Sequence, residues 1–255
     1  MMYFFISRSS FRGEPVESPG WIAIAIDRKT RLPAGRKLKN NGKKTHKKIS
    51  DMFQNSFLTF NYTLRQVREQ LKRYIIGQFG KEPDRLDEVL DCFRPIHTKR
   101  NQVLVEVGDV FQYCYYIVEG CIQTAIYNLN GDESTTDLAF DQDWRTAMRS
   151  FLNNQPSNER LVTVQPSKLL AIHRLEFQKL AETIPPFEHL YKGLLEESYT
   201  QSVERVQTLM SMDALSRLKW LLEQRPLIFT QLSNKLIASY LGLSQATLSR
   251  LKAKL

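Results

Sequence analysis

The sequence predicts an α+β fold: a small antiparallel β-roll with flanking helices, one long amphipathic helix, and a compact helical end. Three observations carry that expectation. Between Gln102 and His173, six short apolar runs alternate with turn residues. From Phe187 to Met210, apolar residues recur every three or four positions. Residues 234–254 place Ala, Gly and Leu where two tightly crossed helices require them.

Along the chain, residues 1–50 stand apart. They hold 12 Lys/Arg against 3 Asp/Glu, and RKTRLPAGRKLKNNGKKTHKK is too charged to bury a core. They are read as a disordered basic extension, with Met52 as an alternative start. From Asn61 to Phe93 the pattern is helical: Leu64, Val67, Leu71, Ile75 and Phe79, then Leu86, Val89, Leu90 and Phe93, with a break at Gly80–Asp84. The predicted strands are Gln102–Val105, Cys114–Glu119, Ile122–Asn128, Ser134–Phe140, Arg160–Gln165 and Lys168–His173. Gly108–Asp109, Glu119–Gly120, Asn130–Gly131–Asp132 and Gln165–Pro166 supply the turns. Six to eight such strands make an antiparallel barrel or roll.

A helix over Leu175–Thr183 follows, stopped at Pro185–Pro186. The next helix carries a stripe of Phe187, Tyr191, Leu194, Tyr199, Val203, Val206 and Met210. At 1.5 Å per residue its length is about 37 Å, and the stripe suits a two-helix seam, so a homodimer through 187–210 is expected. Short helices over Ala214–Leu222 and Asn234–Lys254 complete the chain. The predicted organisation is therefore an extension (1–50), a roll with flanking helices (60–185), a dimerisation helix (186–211) and a small C-terminal domain (212–255).

Composition narrows the function classes. The 255 residues are 42% hydrophobic and 25% charged, as in ordinary soluble domains. No stretch approaches the roughly 18 apolar residues of a membrane span, and the first residues do not read as a secretory signal. A cytoplasmic protein without a membrane partner is expected. Cys92, Cys114 and Cys121 form no CxxC pair or zinc-spaced cluster and are read as reduced thiols. The net charge of +9 resides wholly in residues 1–50, because the rest holds 24 Lys/Arg against 24 Asp/Glu. Yet no acidic residue follows Glu223, while Arg225, Lys235, Arg250, Lys252 and Lys254 leave a locally basic end.

That end carries the most specific motif. In NKLIASYLGLSQATLSRLKAK, Ala238 is the small residue a crossing helix needs, and Gly242 supplies the turn. Ile237, Leu241, Leu243, Leu248 and Leu251 take the inward slots, and Ser244 stands as N-cap of the second helix. With Leu248 and Leu251 inward, Gln245, Ala246, Ser249 and Arg250 face out. Gln245 suits adenine and Arg250 guanine in the major groove of double-stranded DNA. Ser244, Thr247, Ser249, Lys252 and Lys254 suit phosphates.

In order of parts, residues 60–255 resemble the Crp/Fnr family: short helices, a cyclic-nucleotide-binding-like β-roll, a long dimer helix, then a helix-turn-helix. IASYLGLSQATLSRLKAKL and FLNNQPS resemble the Bacteroidetes-type members in particular. The resemblance implies a homodimeric transcription regulator that reads a two-fold symmetric operator, re-aimed by ligand binding in the roll. RNA polymerase is a further candidate partner. The sequence also departs from the family. Members that bind cyclic AMP carry Gly-Glu followed about ten residues later by Arg-Ser or Arg-Thr. In DQDWRTAMRSFLNNQPSNERLV no Gly-Glu precedes, the arginine slot falls near Ser157–Asn158, and Arg160 is two places out. Without that arginine a phosphate loses its charge-assisted pair. No cofactor is therefore expected, cyclic AMP is disfavoured, and any other effector is open. The iron–sulfur members' cysteine cluster is absent, and His97 and His173 are read as ordinary structural histidines rather than haem ligands. Ala246 stands where members often have Glu, so the preferred site should differ from the usual family operator. The sequence ends at Leu255 with no winged hairpin, so some phosphate contacts are expected to be missing.

Two rival classes were weighed against a DNA-binding regulator. One is a roll that binds a ligand or a protein and has little DNA affinity. The other is an enzyme, which no nucleophile elbow, P-loop, HExxH or paired-carboxylate motif supports.

Overall fold

The computed structural model describes residues 65–254. The basic segment 1–50, Met52, the predicted helix start at Asn61–Leu64 and Leu255 lie outside the described residues.

Helix α1 (described over 65–79) buries Val67, Leu71 and Ile75 at its predicted spacing. Helix α2 (Leu86–Asp91) is shorter than its pattern. Phe93 keeps helical spacing only because it too is buried; the chain has already turned, and Phe93 meets Trp144 edge-on with centroids 5.8 Å apart. Eight strands follow: β1 (Arg94–Thr98), β2 (Gln102–Val105), β3 (Tyr113–Glu119), β4 (Ile122–Tyr127), β5 (Glu133–Ala139), β6 (Trp144–Arg145), β7 (Glu159–Thr163) and β8 (Ser167–His173). They form two four-stranded antiparallel sheets in the orders β1-β8-β3-β6 and β2-β7-β4-β5. The six predicted strands are present. β1 and β6 are polar or too short to alternate, and only pairing with β8 and β3 makes them strands.

Strand β3 is buried at five consecutive positions, which alternation alone would not produce. Both of its faces are covered, and Tyr116 packs against Tyr74 of α1 at 5.3 Å and Trp144 at 5.2 Å. The β3–β4 connection depends on Gly120 (φ 131°). A Cβ there would lie 2.1 Å from Ser167 Oγ and 2.9 Å from Ser167 Cα. Ser167 Oγ accepts from the Cys121 N–H and donates to the Gln165 carbonyl, so this link between the two sheets sits directly on the start of β8. All three cysteines are free thiols, and burial pushes Cys114 and Cys121 up to about 12.

Between β6 and β7 lies α3 (Met148–Asn153), which overlaps the start of FLNNQPS and was not predicted. Helix α4 (Arg174–Thr183) starts at His173, whose Nδ1 accepts from the Leu175 N–H, a capping role for one of the two singled-out histidines. Helix α4 ends just before the two prolines, as expected, and the prolines also open the next helix. They occupy the first turn of α5 (Pro185–Ser211), where no intrahelical N–H is needed. The predicted stripe on α5 divides. Phe187 and Leu190 are buried and Tyr191 and Leu194 pack on the roll core, whereas Tyr199, Val203, Val206 and Met210 are exposed. The C-terminal helices are α6 (Ala214–Gln224), α7 (Ile228–Gln231), α8 (Asn234–Leu241) and α9 (Gln245–Lys252). Among the described residues no helix is long and apolar enough to cross a membrane.

Candidate nucleic-acid interface and adjoining cavity

Helices α8 and α9 form a helix-turn-helix with the predicted internal chemistry. Ile237, Ala238, Leu241 and Leu248 are buried together with Leu218, Leu221, Ile228 and Leu232, and Leu243 and Leu251 pack partly against them. Gly242 ends α8 at φ 66°. Its N–H donates to the Ser239 carbonyl and the Leu243 N–H to the Ala238 carbonyl, the paired bonds of a Schellman cap. Ser233 caps α8 by accepting from the Leu236 N–H, and Ser244 caps α9 by accepting from the Thr247 N–H at 3.1 Å. Each such cap is worth about 1 kcal/mol.

The predicted outward residues lie as follows. Gln245, Ala246, Ser249 and Arg250 are exposed along one run of α9. Thr247 is half-buried, its hydroxyl 2.9 Å from Ser244 Oγ and 3.4 Å from Arg250 Nη2. Lys252 turns back instead. Its ammonium lies 3.8 Å from the Phe229 ring centroid and 3.4 Å from Asn234 Oδ1. Lys254 is exposed at the helix end.

Two arginines that the sequence reading did not single out fix this unit to the rest of the chain. Arg205 of α5 donates Nη2 to the Tyr240 carbonyl and stacks over the Tyr240 ring at 4.1 Å. Arg217 of α6 donates Nη1 to the Leu241 carbonyl at 2.8 Å. Both cations meet the negative end of α8, where its last carbonyls lack intrahelical partners. Glycine at 242 is needed for this as well as for its φ, because a Cβ would lie 3.2 Å from Arg217 Nη1. Further anchors come from the roll. The Thr135 N–H of β5 donates to Ser239 Oγ at 2.9 Å, Cys121, Leu138 and Phe140 join the helix-turn-helix core, and Arg225 lies 4.4 Å over Phe140. No periodicity points to these contacts; an arginine on a long polar helix face carries no sign that it caps another helix.

Beside this unit, β4, β5, β6, β7, α3 and α5 line an open cavity of about 690 Å³, whose walls include Asp137, Arg145, Ser157, Asn158, Glu159 and Arg205. Arg145 is ion-paired with Asp137. Arg160, the arginine nearest the expected phosphate slot, points elsewhere: Nε bonds Glu106 at 3.0 Å and Nη1 bonds Glu133 at 2.8 Å. Glu159 is half-buried, and desolvation raises its carboxyl above the ordinary 4.5. A carboxyl raised on folding binds its proton more tightly in the folded chain, so stability falls as pH climbs from 4.5 through that raised value. Glu159→Gln is therefore expected to melt several degrees above wild type at pH 7.5, with the gap closing by pH 4. Thermal unfolding across that range tests this, and a gap unchanged at pH 4 would refute it.

Among the described residues no group of three or more His, Cys, Asp or Glu side chains is placed to hold a metal.

Residues 95–183 match the family described as the cyclic nucleotide-binding domain. No curated protein matches the sequence. Among solved structures, FixK2 from Bradyrhizobium japonicum is 16% identical with a TM-score of 0.56, covering 64% of this chain and 84% of its own. The c-di-GMP-responsive global regulator CLP from Xanthomonas campestris is 15% identical with a TM-score of 0.55, covering 66% and 89%. A Crp/Fnr-family regulator from Eubacterium rectale is 15% identical with a TM-score of 0.52, covering 64% and 78%. The chain thus shares the fold of these structures, with a cyclic-nucleotide-binding-like domain followed by a helical C-terminal unit, at low sequence identity.

Proposed function

We propose that this protein is a sequence-specific DNA-binding transcription regulator that acts as a homodimer on a two-fold symmetric site. The observation that carries the reading is the exposed face of α9. Gln245, Ser249 and Arg250 are exposed above a buried core, with α8 held at both ends and no acidic residue after Glu223. Side chains held outward on a rigid helix are what major-groove reading requires. The exposed stripe Tyr199, Val203, Val206 and Met210 runs at spacings of four, three and four, the pattern of a paired-helix seam. Cyclic AMP is not part of the proposed input, since Arg160 is engaged by Glu106 and Glu133.

Selection from a random duplex pool by the full chain, followed by salt titration, tests the reading. Recovery of a two-fold symmetric sequence is expected, and no enrichment at low salt would overturn it. On the recovered site Arg250→Ala should lose about 1–3 kcal/mol and relax preference at one base pair. Lys254→Ala should instead weaken all sequences alike and reduce the salt slope by about one. Identical behaviour of the two variants would remove the distinction between base and phosphate contacts.

A further inference from the structure

Ser244, Thr247 and Arg250 follow one another at spacings of three, which puts their side chains in one row along α9. Helical side chains lean toward the N-terminus, so each reaches back over the one before it. In the structure the row is continuous. Arg250 Nη2 donates to Thr247 Oγ1 at 3.4 Å, and Thr247 Oγ1 lies 2.9 Å from Ser244 Oγ. Ser244 Oγ also accepts the Thr247 N–H at 3.1 Å, so the row begins on the helix cap itself. A second bond runs from Arg250 Nε to the Ala246 carbonyl, again at 3.4 Å. Nε and Nη2 share one edge of the planar guanidinium, and that edge lies against the helix. The next edge, formed by Nη1 and the second N–H of Nη2, has no hydrogen-bond partner among the described residues. It carries the two parallel donors that guanine O6 and N7 accept.

We propose that Thr247 is a positioning residue for base reading: its hydroxyl, braced by Ser244, holds the Arg250 guanidinium with its Nη1–Nη2 edge outward for a guanine. This role replaces the phosphate contact that the residue type suggests. Thr247 is half-buried and its hydroxyl has a single proton. With Oγ1 accepting from Arg250, that proton runs to Ser244 Oγ and none is left for a phosphate. Ser244 is exposed and keeps its own O–H for that purpose. An arginine free to swing finds acceptors on several bases. One held at a fixed angle fits the guanine pair and loses its bonds elsewhere, and it has less rotamer freedom to give up on binding. The specificity role rests on the DNA-binding reading; the row of bonds does not.

The bonds are tested first without DNA. In the full chain, nitrogen spin relaxation of the Arg250 Nε–H should give a higher order parameter than that of Arg100, an exposed arginine in the β1–β2 turn. The value should fall in Thr247→Val, which keeps the shape and removes the hydroxyl, and recover in Thr247→Ser. Circular dichroism shows that each variant is folded. Equal order parameters for Arg250 in wild type and Thr247→Val would overturn the positioning role. Affinities are then measured on the selected duplex and on duplexes changed at the base pair whose preference Arg250→Ala relaxes. Thr247→Val should reduce discrimination there by about three- to tenfold, with the wild-type salt slope, and Thr247→Ser should restore it. In an Arg250→Ala background Thr247→Val should add nothing, because the group it positions is gone. Weakening of every duplex alike, with a salt slope lower by about one, would make Thr247 a phosphate contact and overturn the proposal. An undiminished effect in the Arg250→Ala background would overturn it too. If wild type enriches no duplex, the DNA-binding reading fails and takes the specificity role with it, while the relaxation measurement still decides whether Thr247 holds Arg250.

Discussion

Val206→Asp is expected to convert the proposed dimer to a monomer and to lower affinity for the proposed two-fold symmetric site a hundredfold or more. Val206 is 54% exposed in the single chain and sits within a stripe whose other members, Tyr199, Val203 and Met210, are 72%, 37% and 83% exposed. A two-helix seam through these residues would bury Val206 of each subunit, worth about 1.5–3 kcal/mol per side chain. The aspartate forfeits that gain twice and sets two carboxylates against each other across the symmetry axis, with a desolvation penalty of several kcal/mol for each. Loss of the second half-site contact does the rest. Because Val206 is exposed on its own chain, the monomer should keep its fold and its melting transition. Sedimentation of the variant beside a duplex titration is the check. A variant that remains dimeric would exclude this face of α5 as the seam.

The second large effect belongs to the roll. Gly120→Ala should destabilise the chain by about 3 kcal/mol or more, because the added carbon meets backbone as well as side chain. It would stand 2.4 Å from Ser167 Cβ and 2.9 Å from Ser167 Cα, so the start of β8 would have to move away from the β3–β4 connection. That separation also breaks the Cys121 N–H bond to Ser167 Oγ. Gly131→Ala makes a sharp control. Its φ is also positive, 81°, but open space surrounds the added carbon. It should cost only the backbone strain, about 1–2 kcal/mol. Urea unfolding of the pair separates steric crowding from strain, and equal losses would show that Ser167 imposes no special constraint.

The parts that were legible in sequence share a physical basis: each is set by a local rule. Strands β2–β5, β7 and β8 lie where turn residues delimit apolar runs. Ser244 caps α9 because a short hydroxyl before a helix has few better uses. Ala238, Gly242 and the leucines around them announced a helix-turn-helix because close crossing and a left-handed turn tolerate few alternatives. The outward face of α9 followed by subtraction.

Elements whose character comes from distant partners were illegible. Strands β1 and β6 exist because β8 and β3 are there to pair with, and α3 and α7 are too short for any period to appear. Phe93 mimicked a helical position because burial, which periodicity detects, is not the same as helix. Nor could the sequence show that the Lys252 ammonium lies on Phe229, 23 residues earlier in the chain.

The amino-acid sequence by itself determined the order of parts, the register of the helix-turn-helix, and which side chains of α9 face outward. Only the tertiary structure decided that Arg205 and Arg217 hold the end of α8, that Arg160 is turned from the cavity, and which half of the α5 stripe is left open. The difference lies in range. Periodicity and capping are written in neighbours three or four residues apart, whereas the partner of a long charged side chain is set by how whole elements pack, 35 residues away in the case of Arg205 and Tyr240.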